Sequence, residues 1–415
     1  MMERREFIAA AGSAVIVGRT GGQAVGAPVR PPDRPTARSP VNPPQQPALG
    51  PEVFAHRLER LRTELDHRKL DLFVAAPGTN FAYFIGANPG RSERLILLLV
   101  PTKGDPVIVA PSFEVERVKR ASAVSDVRGW DEQDDPWKLA KTVLRAVKPL
   151  HRVGQGVIEA SLDYGSTLAL FSAAGSDWKW QSAAPVTERL RIIKYPEEIA
   201  QIRRAITITE ASIAATFAAL VPGITERDVA TKLAAEMRAR GSEGDGLVQF
   251  GPASALPHGG PTSGALQKEM VVLIDAGSLV SGYTSDITRT IWFGDAPSDE
   301  FKKVFNLVHD AQTAAMELGK PFTVRCQEMD RAARKVITDG GYGQYFTHRL
   351  GHGMGMDGHE PPYLVEGNDA PLEPGMVFTI EPGIYQLEKF GVRIEDDNLV
   401  TENGLEVLSS RPAKL

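Results

Sequence analysis

The sequence predicts an α+β protein, in which a smaller N-terminal α/β domain precedes a larger domain built on a curved antiparallel sheet. Three observations carry this prediction. Residues 270–290 and 376–396 read as two similar β-hairpins, since each begins with an apolar run typical of strands. Amphipathic helical patterns precede both hairpins. Short apolar strands alternate with helices between residues 52 and 188.

Length and composition set the limits of the interpretation. The chain has 415 residues, enough for two domains, and a net charge of −5. That slightly acidic charge gives no reason to expect nucleic-acid binding. There is no run of 18 apolar residues, so no membrane span is predicted. The single cysteine, Cys326, excludes an intramolecular disulfide, and its amphipathic helical surroundings indicate a packed, inert thiol.

The N-terminus carries a targeting pattern. Arg4 and Arg5 precede a modest apolar stretch, as in twin-arginine export signals, and small residues follow near position 27. Residues 1–27 are therefore predicted to be an export signal, which places the protein in the periplasm. Residues 28–50 are rich in proline and predict an extended linker.

Residues 51–188 are assigned to the N-terminal α/β domain. Helices are predicted over residues 53–68 and 138–147. Strands are predicted over residues 70–76, 80–86, 95–100, 106–110 and 152–160. No pattern of catalytic residues occurs in this half of the chain.

Residues 189–412 are assigned to the larger domain. One helix is predicted to begin with Pro196 in its first turn and to end near residue 220. A second begins near Thr225, whose hydroxyl faces Asp228 three residues later in a variant of the capping box. Two more helices are predicted over residues 298–318 and 324–339.

The two hairpins carry matched carboxylates. Asp275 and Glu381 each lie five residues after the Met that opens a hairpin, and Asp286 and Glu395 lie on the returning segments. One carboxylate inside an apolar strand is costly to bury, and four meeting at one point would repel each other. Two divalent cations would neutralise all four, so the pattern predicts a pair of metal ions.

A histidine fits the same site. His352 stands in Gly-His-Gly-Met-Gly, where glycines allow the backbone and a metal to approach closely, and His359 follows seven residues later. A set of oxygen ligands with one imidazole suits Mn, Co, Fe or Zn.

This combination resembles the pita-bread-fold metallopeptidases: methionine aminopeptidase, aminopeptidase P and prolidase. The order Asp, Asp, His, Glu, Glu and the separation 286 − 275 = 11 match that family. The further separations, 381 − 352 = 29 and 395 − 381 = 14, suit its proline-directed branch. The resemblance covers roughly residues 52–412 and is strongest from residue 190 onward.

The resemblance implies roles for individual residues. The implied metal ligands are Asp275, Asp286, His352, Glu381 and Glu395. Two divalent ions are implied, with Mn²⁺ preferred and Co²⁺ or Zn²⁺ as alternatives, and a water shared between them as the nucleophile. Glu381 is also expected to relay a proton to the leaving amine.

Further catalytic roles are implied for His258, His359 and Arg393. His258 would contact substrate or the transition state, the alternative being an exposed loop histidine. His359 would donate a hydrogen bond near the scissile bond, the alternative being a packed neutral imidazole. Arg393 would reach the substrate or fix a bridging carboxylate from behind. Tyr385 is a weaker candidate, and His348 is interpreted as structural.

The implied activity is that of a metal-dependent exopeptidase, with a peptide substrate and a homodimeric assembly. The resemblance to prolidases implies an arginine shortly after the second histidine, which holds the free carboxylate of a dipeptide. The segment from His359 to residue 364 contains no arginine. We therefore expect an Xaa-Pro aminopeptidase, with an Xaa-Pro dipeptidase (prolidase) as the alternative. A metal-free creatinase-like hydrolase and a non-catalytic binding module are weaker alternatives, because all five ligand positions hold ligand-capable residues.

Overall fold

The computed structural model describes residues 49–415 except residue 148 and residues 150–152. The predicted export signal and nearly all of the predicted linker lie outside the described residues. Within the described part of the chain, no helix has both the length and the apolar character needed to cross a membrane.

The N-terminal domain is a six-stranded sheet with helices packed on it. Its strand order is β4-β3-β2-β1-β5-β6, with β2 antiparallel to both of its neighbours and the other pairs parallel. The strands are β1 (Leu72–Ala75), β2 (Leu97–Pro101), β3 (Val107–Pro111), β4 (Asp126–Trp130), β5 (Gly154–Ile158) and β6 (Trp178–Ser182). The helices are α1 (Pro51–His67), α2 (Thr79–Ile85), α3 (Val115–Ala121), α4 (Pro136–Ala146), α5 (Tyr164–Ala174) and α6 (Ala184–Ile192).

Residues 80–86 form helix α2, so the strand predicted there is wrong. Phe81, Phe84 and Ile85 are all fully buried, and this i, i+3, i+4 spacing is that of a helix face. Gly86 ends the helix in a left-handed conformation (φ 79°), as helix-terminating glycines often do. Strands β4 and β6 and helices α3, α5 and α6 were not predicted. The two strands and α3 are short and only partly buried, α5 is apolar without a helical periodicity, and α6 spans the predicted domain boundary at residue 189.

The larger domain consists of two halves, each with two helices followed by antiparallel strands. The first half contains α7 (Pro196–Phe217), α8 (Glu226–Ala239), β7 (Glu243–Phe250), β8 (Met270–Val280), β9 (Tyr283–Thr284) and β10 (Ile287–Phe293). The second contains α9 (Asp299–Leu318), α10 (Cys326–Asp339), β11 (Gly351–Gly353), β12 (Glu360–Leu364), β13 (Val377–Ile380), β14 (Gly383–Gln386), β15 (Phe390–Arg393), β16 (Asp396–Thr401) and β17 (Gly404–Val407).

The helix starts follow the predicted capping chemistry. Pro196 opens α7, where a missing N–H costs nothing. Thr225 caps α8: its hydroxyl accepts from the Asp228 N–H at 3.2 Å, and the Asp228 carboxylate accepts from the Thr225 N–H. Ser298 caps α9 by accepting from the Phe301 N–H at 3.1 Å.

The first predicted hairpin forms as a continuous pairing of β8 with β10, in which Asp275 faces Thr288. The second is more divided than predicted. Strand β13 pairs with β16, while β14 and β15 form a separate two-stranded hairpin between them. The pairing opens at Glu381 and Glu395, whose N–H groups bond instead to the carbonyls of Leu350 and Thr288. The expected curved sheet is consequently divided into four-, five- and two-stranded sections.

Helices α7 to α10 pack on the outside of these strands through two apolar cores. Helices α7 and α8 bury Ile202 and Val229 against strands of the first half, in one core with Val272. Cys326 belongs to the other core and is fully buried, and burial raises its thiol pKa to about 11. A packed, inert thiol was predicted, and this environment agrees with it. The inner faces of the strands are thereby left to form a hollow.

Candidate metal centre

A cavity of about 520 Å³ lies in that hollow. Every predicted site residue lines it: His258, Asp275, Asp286, His352, His359, Glu381, Arg393 and Glu395. Three residues complete the lining: Pro257, His348 and Arg349. All of these described lining residues belong to the larger domain. The fold thus brings together positions up to 395 − 258 = 137 residues apart.

The five predicted ligands form two adjoining groups. Asp275, Asp286 and Glu395 each present a carboxylate oxygen, and the three oxygens lie within 4.8 Å of one another. His352, Glu381 and Glu395 form a second group of the same size. Because Glu395 belongs to both, the two groups share one carboxylate. This donor set, oxygen-rich with one imidazole, fits divalent cations.

The electrostatics of the carboxylates support the same fit. Burial, reinforced by the neighbouring Asp275, raises the pKa of Glu381 to about 7. Burial and the surrounding carboxylates also raise the pKa values of Asp286 and Glu395 well above the usual range. Cations would remove this repulsion and favour the ionised carboxylates.

His352 is held as a neutral imidazole that could bind a metal. Its Nδ1 lies 3.2 Å from the carbonyl oxygen of Gly353, a contact that places the proton on Nδ1 and leaves Nε2 free to ligate. Nε2 lies 3.3 Å from Glu381 Oε1. Burial lowers the pKa of His352 to about 3. Glycine is required beside it, because a Cβ on Gly351 would lie 2.0 Å from the Thr379 carbonyl oxygen.

Arg393 lies behind the carboxylates and is nearly fully buried. Its Nη2 donates to Asp275 Oδ2 at 2.7 Å, and its Nε donates to the Thr288 hydroxyl at 3.0 Å. Thr288 in turn donates to Glu395 Oε2 at 2.6 Å. Arg393 therefore fixes two of the predicted ligands, one directly and one through Thr288, so the structure favours the fixing role over direct contact with substrate.

A second chain of contacts leads from Arg393 back into the cavity wall. Its Nη1 donates to the Tyr385 hydroxyl at 2.8 Å, and that hydroxyl lies 2.8 Å from His348 Nε2. His348 Nδ1 contacts the Arg349 carbonyl oxygen at 2.7 Å, so Nε2 is the acceptor for Tyr385. Burial lowers the pKa of His348 to about 4 and raises that of Tyr385 to about 12.

The interpretation of His348 as purely structural is therefore incomplete, since the residue lines the cavity. Its sequence signal is weak, because it lies outside the glycine motif and its partner Tyr385 is 37 positions away. Arg349 was missed for the same reason. Its guanidinium lies 4.4 Å from the centre of the Tyr363 ring. It brings a permanent positive charge to the cavity wall.

The two predicted catalytic histidines come from different places in the sequence: His258 precedes all five predicted ligands, and His359 lies between His352 and Glu381. His258 lies in the loop after β7 and lines the cavity. The His359 ring lies 3.9 Å from that of His352, centre to centre, and is partly exposed. Burial, with help from Arg349 and His258, lowers the pKa of His359. Both imidazoles can therefore exchange hydrogen bonds with a molecule in the cavity.

Comparisons with known proteins agree with this geometry. The family profile of metallopeptidase family M24 matches residues 200–402, and that of the creatinase/prolidase N-terminal domain matches residues 57–193. An Xaa-Pro dipeptidase of Lactobacillus helveticus is 35% identical over 358 residues, which cover 85% of this chain and 96% of the relative.

The chain belongs to metallopeptidase family M24. Solved structures of similar chains share the whole two-domain fold. The dipeptidase PepE of Mycobacterium ulcerans has a TM-score of 0.81 at 35% identity, covering 89% of this chain and 99% of its own. A prolidase of Thermococcus sibiricus has a TM-score of 0.80 at 32% identity, covering 87% and 98%. This M24 protein is a metal-dependent exopeptidase with the pita-bread fold.

Proposed function

We propose that this M24 enzyme is an Xaa-Pro dipeptidase, which releases the N-terminal residue from dipeptides with proline second. The observation that carries the proposal is the position of Arg349 in the cavity wall. The absence of arginine from residues 359–364 favoured an aminopeptidase, since a dipeptide needs a partner for its free carboxylate. Arg349 supplies that partner from the preceding segment, and it packs on Tyr363 of the same stretch.

Two further observations support a short substrate. The cavity of about 520 Å³ belongs to the size class of small-molecule sites. The relatives described above include an Xaa-Pro dipeptidase, a dipeptidase and a prolidase. These comparisons favour the dipeptidase alternative over the aminopeptidase expected from the sequence.

The proposed metal site consists of two divalent ions, with Mn²⁺ preferred. Asp275, Asp286 and Glu395 would hold one ion, and His352, Glu381 and Glu395 the other. Such ions, when bound, activate water and polarise the scissile carbonyl. Arg393 and Thr288 keep the carboxylates in place, so that the site is already organised when substrate arrives.

The remaining residues would orient the peptide and move its proton. His258 and His359 border the cavity and can donate to the peptide near the scissile bond. Glu381 borders the cavity beside His352 and would pass a proton to the leaving amine of proline. Arg349 would bind the free carboxylate at the other end of the dipeptide.

The test compares Xaa-Pro dipeptides, the same dipeptides with an amidated C-terminus, and Xaa-Pro-Yaa tripeptides, each with Mn²⁺, Co²⁺ or Zn²⁺. A hydrogen-bonded charge pair contributes about 1.5–3 kcal/mol, so amidation should lower kcat/KM roughly 10- to 100-fold. In Arg349→Met the acid and the amide should be cleaved equally slowly. The matched control is Arg331→Met on α10, outside the cavity, where amidation should keep its full effect.

Preferential cleavage of tripeptides, with no penalty for amidation, would replace the dipeptidase by the aminopeptidase. Cleavage of peptides without proline, and of no Xaa-Pro peptide, would reject the proline specificity and leave the metal site standing. Loss of activity in a chelator, restored by Mn²⁺, is expected in either case.

We also propose export by the twin-arginine route, on the basis of Arg4 and Arg5 and the apolar stretch after them. Residues 1–50 fused to a folded reporter should carry it out of the cytoplasm. The matched control replaces both arginines by lysine, which keeps the charge and should retain the reporter inside the cell. Export of both fusions alike would contradict the proposal.

A further inference from the structure

The turn that carries His359 is held by one buried arginine of the N-terminal domain's last helix. Arg191 of α6 directs its Nη2 to Asp357 Oδ2 at 2.8 Å and to Glu360 Oε2, so that a single guanidinium closes the turn from 357 to 360. The Arg191 side chain is 9% exposed and that of Glu360 is 6% exposed. Buried charge pairs of this kind hold their partners in one geometry, because separating them leaves a charge without a partner.

A second cation completes the arrangement around Glu360. Lys194 Nζ donates to Glu360 Oε1 at 2.8 Å, and its side chain is 1% exposed. The carboxylate is therefore held from both oxygens by two different residues. Gly355 lies directly against this pair: a Cβ there would come within 2.7 Å of Glu360 Oε1 and 3.1 Å of Lys194 Cε. The third glycine of the Gly-His-Gly-Met-Gly motif thus makes room for the ion pair.

The N-terminal domain reaches the same turn through helix α2. Thr79 donates its hydroxyl to Asp357 Oδ1 at 2.6 Å, and Asn80 Oδ1 accepts from Arg191 Nη1 at 3.0 Å. Together with Arg191, these contacts attach the turn to two separate helices of the other domain. This domain provides no described residue of the cavity wall, yet it touches the segment that presents His359.

The side chain of His359 makes few contacts with the rest of the protein. Its ring contacts that of His352, and none of the hydrogen bonds among the described residues involves its imidazole. The backbone of residues 357–360 fixes the Cα–Cβ bond of His359, and it therefore fixes the region in which the ring lies. A catalytic group displaced by about 1 Å can lose on the order of 10²-fold in rate.

We propose that Arg191 and Glu360 are positioning residues for His359, and that through them the N-terminal domain sets the catalytic geometry. The inference rests on the proposed function in one respect, namely that His359 contacts the substrate. Lys194 holds the second Glu360 oxygen in place, and Thr79 and Asn80 anchor the assembly to α2.

The experiment measures kcat and KM for Glu360→Gln and Arg191→Lys, using whichever peptide the wild-type enzyme cleaves. Arg191→Lys keeps the positive charge but lacks the planar fork, in which Nη2 contacts both carboxylates while Nη1 bonds Asn80. Both variants should lose roughly 10- to 100-fold in kcat, with KM changed less than about 3-fold, since His359 acts on the reacting bond. The melting temperature of each variant shows whether it is folded.

The matched control is Glu373→Gln. Arg189 Nη1 lies 3.1 Å from Glu373 Oε1. Arg189 is on the same helix, two residues before Arg191, so this ion pair joins the same two domains without reaching the turn. This variant should keep kcat within about 2-fold, as surface pairs contribute little. An equal loss in the control would overturn the proposal, because the effect would then be general to the domain junction.

The decisive measurement is the double variant with His359→Ala. If Glu360 acts through His359, Glu360→Gln should cost nothing further in kcat once the imidazole is absent. Losses that multiply would overturn the inference. Amide hydrogen exchange of residues 357–360 provides a readout free of activity, and it should accelerate in Glu360→Gln but not in Glu373→Gln. Failure to cleave any Xaa-Pro peptide would reject the proposed specificity alone, since these measurements use the peptide that is cleaved.

Discussion

The two halves of the larger domain share the same order of helices and strands but differ in how their second strands pair. Helices α8 and α10 both have 14 residues, and each is followed by a left-handed glycine, Gly241 (φ 80°) or Gly341 (φ 87°). Each half then provides two carboxylates. Asp275 lies on β8 and Asp286 directly before β10, whereas Glu381 directly follows β13 and Glu395 directly precedes β16. The first hairpin pairs without interruption from Met270 to Ala276, whereas the second is divided by the β14–β15 hairpin.

This difference in strand pairing determines which site residues each half provides. The first half provides two of the proposed ligands, Asp275 and Asp286, together with His258 in the cavity wall. The second provides the proposed ligands Glu381 and Glu395 at the equivalent places. The inserted hairpin adds Arg393, which lines the cavity and bonds Asp275, and Tyr385, which bonds Arg393. Both halves thus provide carboxylates, and the hairpin inserted in the second half adds side chains that hold a carboxylate in position.

The largest effect is expected at the carboxylate common to both ligand groups. Glu395→Gln should abolish activity, by a factor on the order of 10³ or more, because metal ions contribute several kcal/mol to the transition state. Metal analysis should show fewer than two equivalents, and Asp275→Asn should retain more metal than Glu395→Gln. The exposed Glu402 provides the control Glu402→Gln, with unchanged metal content. Equal metal content in all three variants would contradict the shared role.

The next effect concerns pH in the metal-free protein. Burial raises the pKa of Glu381 from 4.5 to about 7, so the folded state holds a proton that the unfolded state has lost. Stability from this group is complete below about pH 4.5 and declines as the pH rises through about 7. In chelator, the melting temperature should fall over this window, and it should fall less in Glu381→Gln. Added Mn²⁺ should raise it most at high pH, where ligands are ionised. A melting temperature that rises over this window in wild type, relative to Glu381→Gln, would reject this account.

A smaller effect separates two arginines on the return strands. Arg393→Lys should lower kcat/KM roughly 10- to 100-fold, because lysine cannot hold Asp275, Thr288 and Tyr385 together. Arg289 instead bonds the Asp396 carboxylate at 2.7 Å and the backbone carbonyl of Glu395 at 2.6 Å, and none of its described hydrogen bonds reaches the side chain of a proposed ligand. Arg289→Lys should therefore lower the free energy of unfolding by about 1–3 kcal/mol while kcat/KM changes less than about 3-fold. Steady-state kinetics measure kcat/KM, and denaturant titration measures the free energy of unfolding. A larger loss of kcat/KM in Arg289→Lys than in Arg393→Lys would contradict the roles given to the two arginines.

The smallest effect distinguishes the helix starts of the two halves. Thr225→Ala removes a hydroxyl that caps α8 and should cost about 1 kcal/mol in unfolding free energy. At the equivalent place before α10, Arg325 has no hydroxyl, and only the Glu328 carboxylate reaches back to its N–H at 2.7 Å. Arg325→Ala should therefore cost less than Thr225→Ala by urea titration. A larger loss at Arg325 would show that the two caps are not comparable.

The grouping of the five proposed ligands could be predicted because each of them lies in a recognisable local pattern, although the patterns themselves are far apart in the sequence. The hairpins repeat a Met-Val start with a carboxylate five residues later, and strand periodicity fixes which face each side chain takes. The helices of the larger domain were predictable from their caps and apolar spacing, as Thr225 with Asp228 shows.

Other features depend on contacts between distant segments. His348 and Tyr385 meet across 37 positions, and Arg191 and Glu360 across 169, so neither pair leaves a local pattern. Helix α2 was misassigned because aromatic residues favour strands. The helix is recognised only from the burial of these residues in the folded protein. The β14–β15 hairpin arises where Glu381 and Glu395 turn their N–H groups to other strands, which strand periodicity does not reveal.

The buried position of Cys326 has a practical consequence for studying this enzyme. Thiol-directed dyes react with exposed thiolates, and the native chain's one sulfhydryl is enclosed in the core with a pKa of about 11. Leu387, at the tip of the β14–β15 hairpin, is 69% exposed. A fluorophore attached to Leu387→Cys would therefore label a single known site without removal of any native cysteine, and its emission would follow the hairpin during turnover.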